Sequence, residues 1–211
     1  MKKMTALLRA GALLGVFAAF GASCASGPRV SRVDADTAID LSGKWNDRDA
    51  RLVSESLIAS ALASASISRY ITQFEGTHGG EAPTVIVGAF RNETSEHIDT
   101  GIIAGMLRAA IINSGRLNFV EGGAARSQIR GERFDQQANA SEDTAARVGE
   151  ETGADLILQG VIGSAVDRAG GKTVRAYFVK ASLTSIESNR ILWEDQNNDI
   201  KKIIERQKVR F

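Results

Sequence analysis

Very few side chains in this sequence could do chemistry: one cysteine, Cys24, and two histidines, His78 and His97, in 211 residues. A lone cysteine forms no intramolecular disulfide and no all-cysteine metal site, so its thiol is a nucleophile or a point of covalent attachment. Both histidines fall in stretches that read as loops. They have no HExxH spacing and no third nitrogen donor, which makes them exposed loop side chains rather than metal ligands. There is no G-x-S-x-G elbow and no Walker phosphate loop. Carboxylates number 25, so that some pair must lie close in any fold, and such a pair says nothing about acid–base catalysis. Gly160-Val-Ile-Gly163 imitates a nucleic-acid clamp but sits inside an apolar run without a basic flank, where glycines admitting a close helix are the better account. With 26 Lys and Arg the net charge is +1, which supplies no field for polyanions. The residues therefore describe a non-enzymatic chain with no cofactor, no metal, no small-molecule substrate and no nucleic-acid partner.

The meaning of Cys24 depends on where it stands. Residues 1–23 carry Lys2, Lys3 and Arg9, then an apolar run from Ala10 to Phe20, then Gly21, Ala22 and Ser23, the three-part pattern of a secretory signal peptide. The apolar run is shorter than the roughly 20 residues a permanent spanning helix needs. Gly21-Ala22-Ser23-Cys24 resembles the bacterial lipobox, with Gly21 where an aliphatic residue is usual. That resemblance implies cleavage before Cys24 and a lipid on its thiol. The alternative is an ordinary leader cut nearby, with an incidental cysteine. Each buried CH₂ contributes about 0.8 kcal/mol, so a multiply acylated terminus anchors durably where a single chain would not. Ala25 is not the aspartate that retains many enterobacterial lipoproteins at the inner membrane, which points to the outer one.

Three segments follow: the signal peptide (1–23), a lipidated N-terminus and tether (24–39), and a single α/β domain (40–211). The tether is small, polar and charged, and its roughly 15 residues span at most about 50 Å when extended. From 49 to 74, apolar residues at helical spacing predict one long amphipathic helix capped by Asp47 or Asp49. Thr84-Val-Ile-Val-Gly-Ala-Phe90 reads as a buried strand. Asp99 can cap a helix carrying Ile103, Leu107 and Ile111, with Gly115 past its end. A second strand is expected over 117–121, weak helical character over 126–137, and a helix over 141–152 capped by Ser141. Strands over 155–166, 173–186 and 190–197 make a meander whose first hairpin turns at Gly170-Gly171. A closing helix is expected over 199–208, from Ile200, Ile203 and Ile204. The fold class is α/β, a mixed sheet of about five strands flanked by helices. Trp45, just before the first helix, either folds back to pin the tether to the domain or stands out as a contact for a partner.

Five segments carry a resemblance to the LpoB family of outer-membrane lipoproteins. They are Asp40-Leu-Ser-Gly-Lys-Trp-Asn-Asp47, Pro83-Thr-Val-Ile-Val-Gly-Ala-Phe-Arg-Asn-Glu-Thr94, Ser114-Gly-Arg-Leu-Asn-Phe-Val-Glu121, Gly153-Ala-Asp-Leu-Ile-Leu-Gln-Gly-Val-Ile162 and Arg190-Ile-Leu-Trp-Glu194. The middle three are also similar to the curli-secretion lipoprotein CsgG and the N-terminal domain of TolB, and so speak for the fold more than the task. The resemblance implies an LpoB/TolB-N-like sandwich and a regulator that activates a class A penicillin-binding protein by binding to it. The alternative is an accessory lipoprotein of envelope assembly or secretion.

Overall fold

Asn46 begins the first helix. Its side-chain oxygen accepts from the Asp49 amide (3.0 Å) while the Asp49 carboxylate accepts from the Asn46 amide (2.9 Å), a reciprocal capping box. The computed structural model that shows this describes residues 30–34, 37, 39–141, 146 and 151–205. Cys24 and the expected leader lie outside the described residues, as does most of the helix expected over 141–152. The chain divides into two units, Met1–Thr37 and Ala38–Phe211, and the elements below belong to the second.

The long helix expected from 49 to 74 is two helices, α1 (Asp47–Ala63) and α2 (Ala65–Thr77), bent by 51° at Ser64. Ser64 leaves helical geometry, and its hydroxyl accepts from the Ile67 amide, so a serine that reads as helix interior is an N-cap. Arg116 fastens the bend by donating to the Leu62 carbonyl (2.8 Å) and the Ser68 hydroxyl (2.6 Å). The cap of the first helix is also Asn46, not Asp47 or Asp49. Helix α3 (Thr100–Asn113) starts as expected at Asp99, whose carboxylate accepts from the Gly101 amide. Gly115 takes φ +66° just beyond its end.

The sheet consists of β1 (Thr84–Asn92), β2 (Asn118–Phe119), β3 (Leu156–Ala169), β4 (Lys172–Ser185), β5 (Ile191–Asn197) and β6 (Lys201–Glu205). Its order is β2-β1-β3-β4-β5, with β6 also paired to β4. Strands β1, β2 and β3 run parallel, and β4 is antiparallel to β3, β5 and β6. The expected mixed α/β architecture is therefore present. The closing helix expected over 199–208 is instead β6. Its residues alternate exposed and half-buried, because β5 pairs with residues 179–184 of β4 and leaves residues 172–176 of that edge for β6.

One face of the sheet is the core. Leu156, Leu158 and Ile162 on β3 lie in register with Ser185, Leu183 and Val179 on β4, all buried. Helix α1 packs on α3 and β5, α2 on β5, and α3 on β1. Trp193 joins the layers by donating from its indole to Ser60 (3.0 Å). The fourth helix, α4 (Gly123–Asn139), has no buried residue. Among the described residues no single helix is long and apolar enough to cross a membrane.

Gly160 serves a different neighbour from the helix expected on it. It lies beside Phe90 on β1 after a register shift between Val87 and Phe90, and a Cβ there would collide with the Phe90 ring and come within 2.9 Å of the Lys180 carbonyl. The substitution Gly160→Ala is expected to cost about 1–3 kcal/mol, read as a lower urea midpoint at unchanged slope.

Candidate functional site

The segment 39–46, before α1, is the part of the chain on which the sequence places its one candidate contact, Trp45. The ring of Trp45 stands edge-on to Tyr177, centroids 5.2 Å apart at 68°. Its amide donates to Glu96 Oε2 (3.1 Å). The phenol of Tyr177, fully buried, donates to the same carboxylate, 2.9 Å from each oxygen. The guanidinium of Arg175 pairs with Glu96 at 2.5 Å and reaches the Gly43 carbonyl. Glu96 comes from the β1–α3 loop, and Arg175 and Tyr177 from β4, so three distant stretches meet on one carboxylate. Trp45 therefore folds back on the domain, half-buried.

A second centre lies beside the first. Lys202, on β6, pairs with Asp40 (2.6 Å) and Asp49 (2.7 Å) and donates to the Lys44 carbonyl (2.9 Å). Asn46 holds Asp40 from the other side at 2.7 Å. Gly43 has φ +63°, and a Cβ on it would run into Ile204, so only glycine lets the segment lie flat on β6. Residues 39–46 thus form a strap, fastened to β4 through Glu96 and to β6 through Lys202.

The electrostatics follow from these contacts. Burial pushes the Tyr177 phenol up to about 12, helped by its hydrogen bond to Glu96 and by that negative charge. Burial alone would lower Lys202, but hydrogen bonds and attraction from Asp40 and Asp49 outweigh it and raise the ammonium above the ordinary lysine value. The hydrogen bond from Lys202 is the main cause that lowers Asp40. Glu96 is occupied by one cation and two further donors, and Tyr177 is held neutral. The cluster works as a clasp.

The remaining candidates stay apart. His78 caps the end of α2, stacked on Phe74, and His97 is exposed, so both occupy the surface positions expected of them. Among the described residues no group of three or more His, Cys, Asp or Glu could hold a metal. Sequence reasoning missed Glu96, Arg175, Tyr177 and Lys202. Their one local signal was the alternation of β4, which puts 175 and 177 on its inner face.

The fold and the clasp define an α/β domain with its N-terminal entry strapped to its C-terminal strand. The model of the family described as peptidoglycan-synthase activator LpoB matches residues 49–198, and the chain belongs to that family. The match begins just after Trp45 and ends before β6. Among solved structures, the C-terminal domain of LpoB from Salmonella enterica is 13% identical, covering 75% of this chain and 99% of that one, with a TM-score of 0.39. LpoB from Escherichia coli is 14% identical, with coverage of 84% and 85% and a TM-score of 0.36. A lipoprotein from Neisseria meningitidis is 21% identical, with coverage of 60% and 88% and a TM-score of 0.35. No curated protein matches the chain by sequence.

Lys202 and Asp49 are 11% and 7% exposed, and removing one member of a pair at that depth strands the other. Lys202→Met is expected to lower unfolding stability by about 3 kcal/mol. The alkaline limb tests both centres. Tyr177 and Lys202 bind their protons more tightly folded than unfolded, so stability is full below the ordinary values near 10 and falls as the pH rises toward 12. Thermal melts should show that fall in the wild type and a shallower one in Tyr177→Phe.

Proposed function

We propose that this chain is a non-enzymatic lipoprotein, anchored through Cys24 to the outer membrane, which activates a class A penicillin-binding protein by binding to it. The observation that carries the reading is the family match over residues 49–198 to peptidoglycan-synthase activators. The division into signal peptide (1–23), tether (24–39) and domain (40–211) belongs to the same proposal. It is supported by the charge and apolar pattern of the first 23 residues and by the position of the single cysteine. The alternative, an assembly or secretion accessory, gains no support from that match.

The geometry adds a constraint on reach. A tether of roughly 15 residues extends at most about 50 Å, and the strap delivers its end to one fixed point on the domain. The partner must therefore offer its docking surface within that distance of the membrane, plus the width of the domain. Trp45 and the neighbouring Leu41, 94% exposed, are proposed as part of the contact, Leu41 directly and Trp45 through its uncovered edge.

In vivo crosslinking from position 41, followed by mass spectrometry, tests the partner. A penicillin-binding protein is the expected product; secretion or Tol-type partners alone would refute the reading. In the same cells labelled palmitate should enter the wild-type chain and be absent from Cys24→Ser, whereas a labelled serine variant would refute the anchor.

A further inference from the structure

The strands beneath the strap carry an apolar patch on their other face. Arg175, Tyr177, Lys202 and Ile204 turn toward the strap, and in a strand the alternate residues turn the opposite way. Those are Val174, Ala176 and Phe178 on β4, Ile203 on β6 beside Val174, and Ala165 on β3 beside Ala176. Ile203 is 64% exposed and Phe178 37%, so the patch faces outward.

Three lysines of the same parity rim it. Lys172 pairs with Glu205 (2.7 Å) and Lys180 with Glu194 (3.5 Å), while Lys201 and Asp167 are both exposed. Cations and acids on these strands therefore balance. The excess charge comes from the sequence beyond β6, which runs through Arg206, Lys208 and Arg210 to Phe211 without an acid. Apolar side chains rimmed by lysines and followed by a cationic stretch suit the headgroup layer of an anionic bilayer, where lysine stems lie along the apolar surface and the ammonium groups meet phosphate.

We propose that this patch docks on the surface of the bilayer to which the chain is anchored. The inference deepens the proposed function and rests on its anchor at Cys24. A flexible tether of about 15 residues has a root-mean-square span of roughly 20 Å. It ends at the strap, which lies on β6, so the anchor delivers the very strands that carry the patch. The bilayer is then present at high effective concentration, and a contact too weak to hold a free chain becomes occupied. Strap and patch lie on opposite faces of β4 and β6, so docking leaves Leu41 open to a protein partner.

The test couples the chain from Cys24 onward, through that single thiol, to a maleimide lipid in vesicles of equal parts phosphatidylethanolamine and phosphatidylglycerol. A photoreactive benzoylphenylalanine replaces Ala165 on the patch or, as the control, Glu55 on the exposed side of α1. Illumination should give lipid adducts at position 165 and not at 55. Ile203→Asp, at a side chain already mostly in solvent, should lower the adducts at 165 by about tenfold, and exchanging phosphatidylglycerol for phosphatidylcholine should lower them as well. Adducts absent at 165, equal at the two positions, unchanged in Ile203→Asp, or formed with a second copy of the chain in place of lipid would overturn the proposal. Chemical coupling keeps the two readings apart: a chain that takes no palmitate in cells yet gives adducts at 165 refutes the cellular anchor alone, and one that takes palmitate but gives none refutes the docking alone.

Discussion

A charged carboxylate cannot be buried unpaired, and the side chain of Glu96 is only 10% exposed. That requirement organises the upper part of the molecule. The charge is met by Arg175, by the phenol of Tyr177 and by the amide of Trp45, and each partner brings its own element with it: β4 twice, the strap once. Lys202 poses the same problem with the sign reversed and solves it with Asp40, Asp49 and the Lys44 carbonyl. Asp49 is also the return partner of the capping box at Asn46. The start of α1, the strap and β6 are consequently one unit, and loosening β6 strands the buried charge of Asp49.

This arrangement explains why the two flanks of the family match clasp each other. The matched stretch, 49–198, contains the helices and all the strands except β6, with Glu96, Arg175 and Tyr177 inside it. The strap and β6 lie outside it and meet at one end of β4, the strap lying on β6. Pairing β6 along residues 172–176 also covers an edge that β5 leaves open, which would otherwise present free amides and carbonyls to another chain. A pull on the strap thus loads the sheet and the ion pairs before it reaches the first turn of α1.

What was legible in the sequence is what short-range physics decides. Asp99 before an apolar helix, Gly115 after it and Gly170-Gly171 between two alternating runs each did what their backbone chemistry dictates. The failures are at positions where a distant neighbour decides. Ser64 interrupts no apolar stripe, yet it caps a new helix once Arg116 is there to hold the bend. Ile200, Ile203 and Ile204 fit a helical face equally well, and the free edge of β4 makes them a strand. Trp45 was legible as a residue with something to do, whereas Glu96, 51 positions away, and Lys202, 162 positions from Asp40, carry no local mark of the clasp they form with the strap.

The strap and the proposed anchor bear on function together, because an activator that works by binding depends on where it is held as well as on what it touches. A clasp of ion pairs fixes the start of the domain, which suits regulation by contact. The most direct measurement is the rate of glycan polymerisation by a class A penicillin-binding protein from the same organism, with and without the full chain. The account predicts a rate that rises with added chain and saturates as the synthase is occupied. A rate that stays unchanged with the chain in large excess would contradict it.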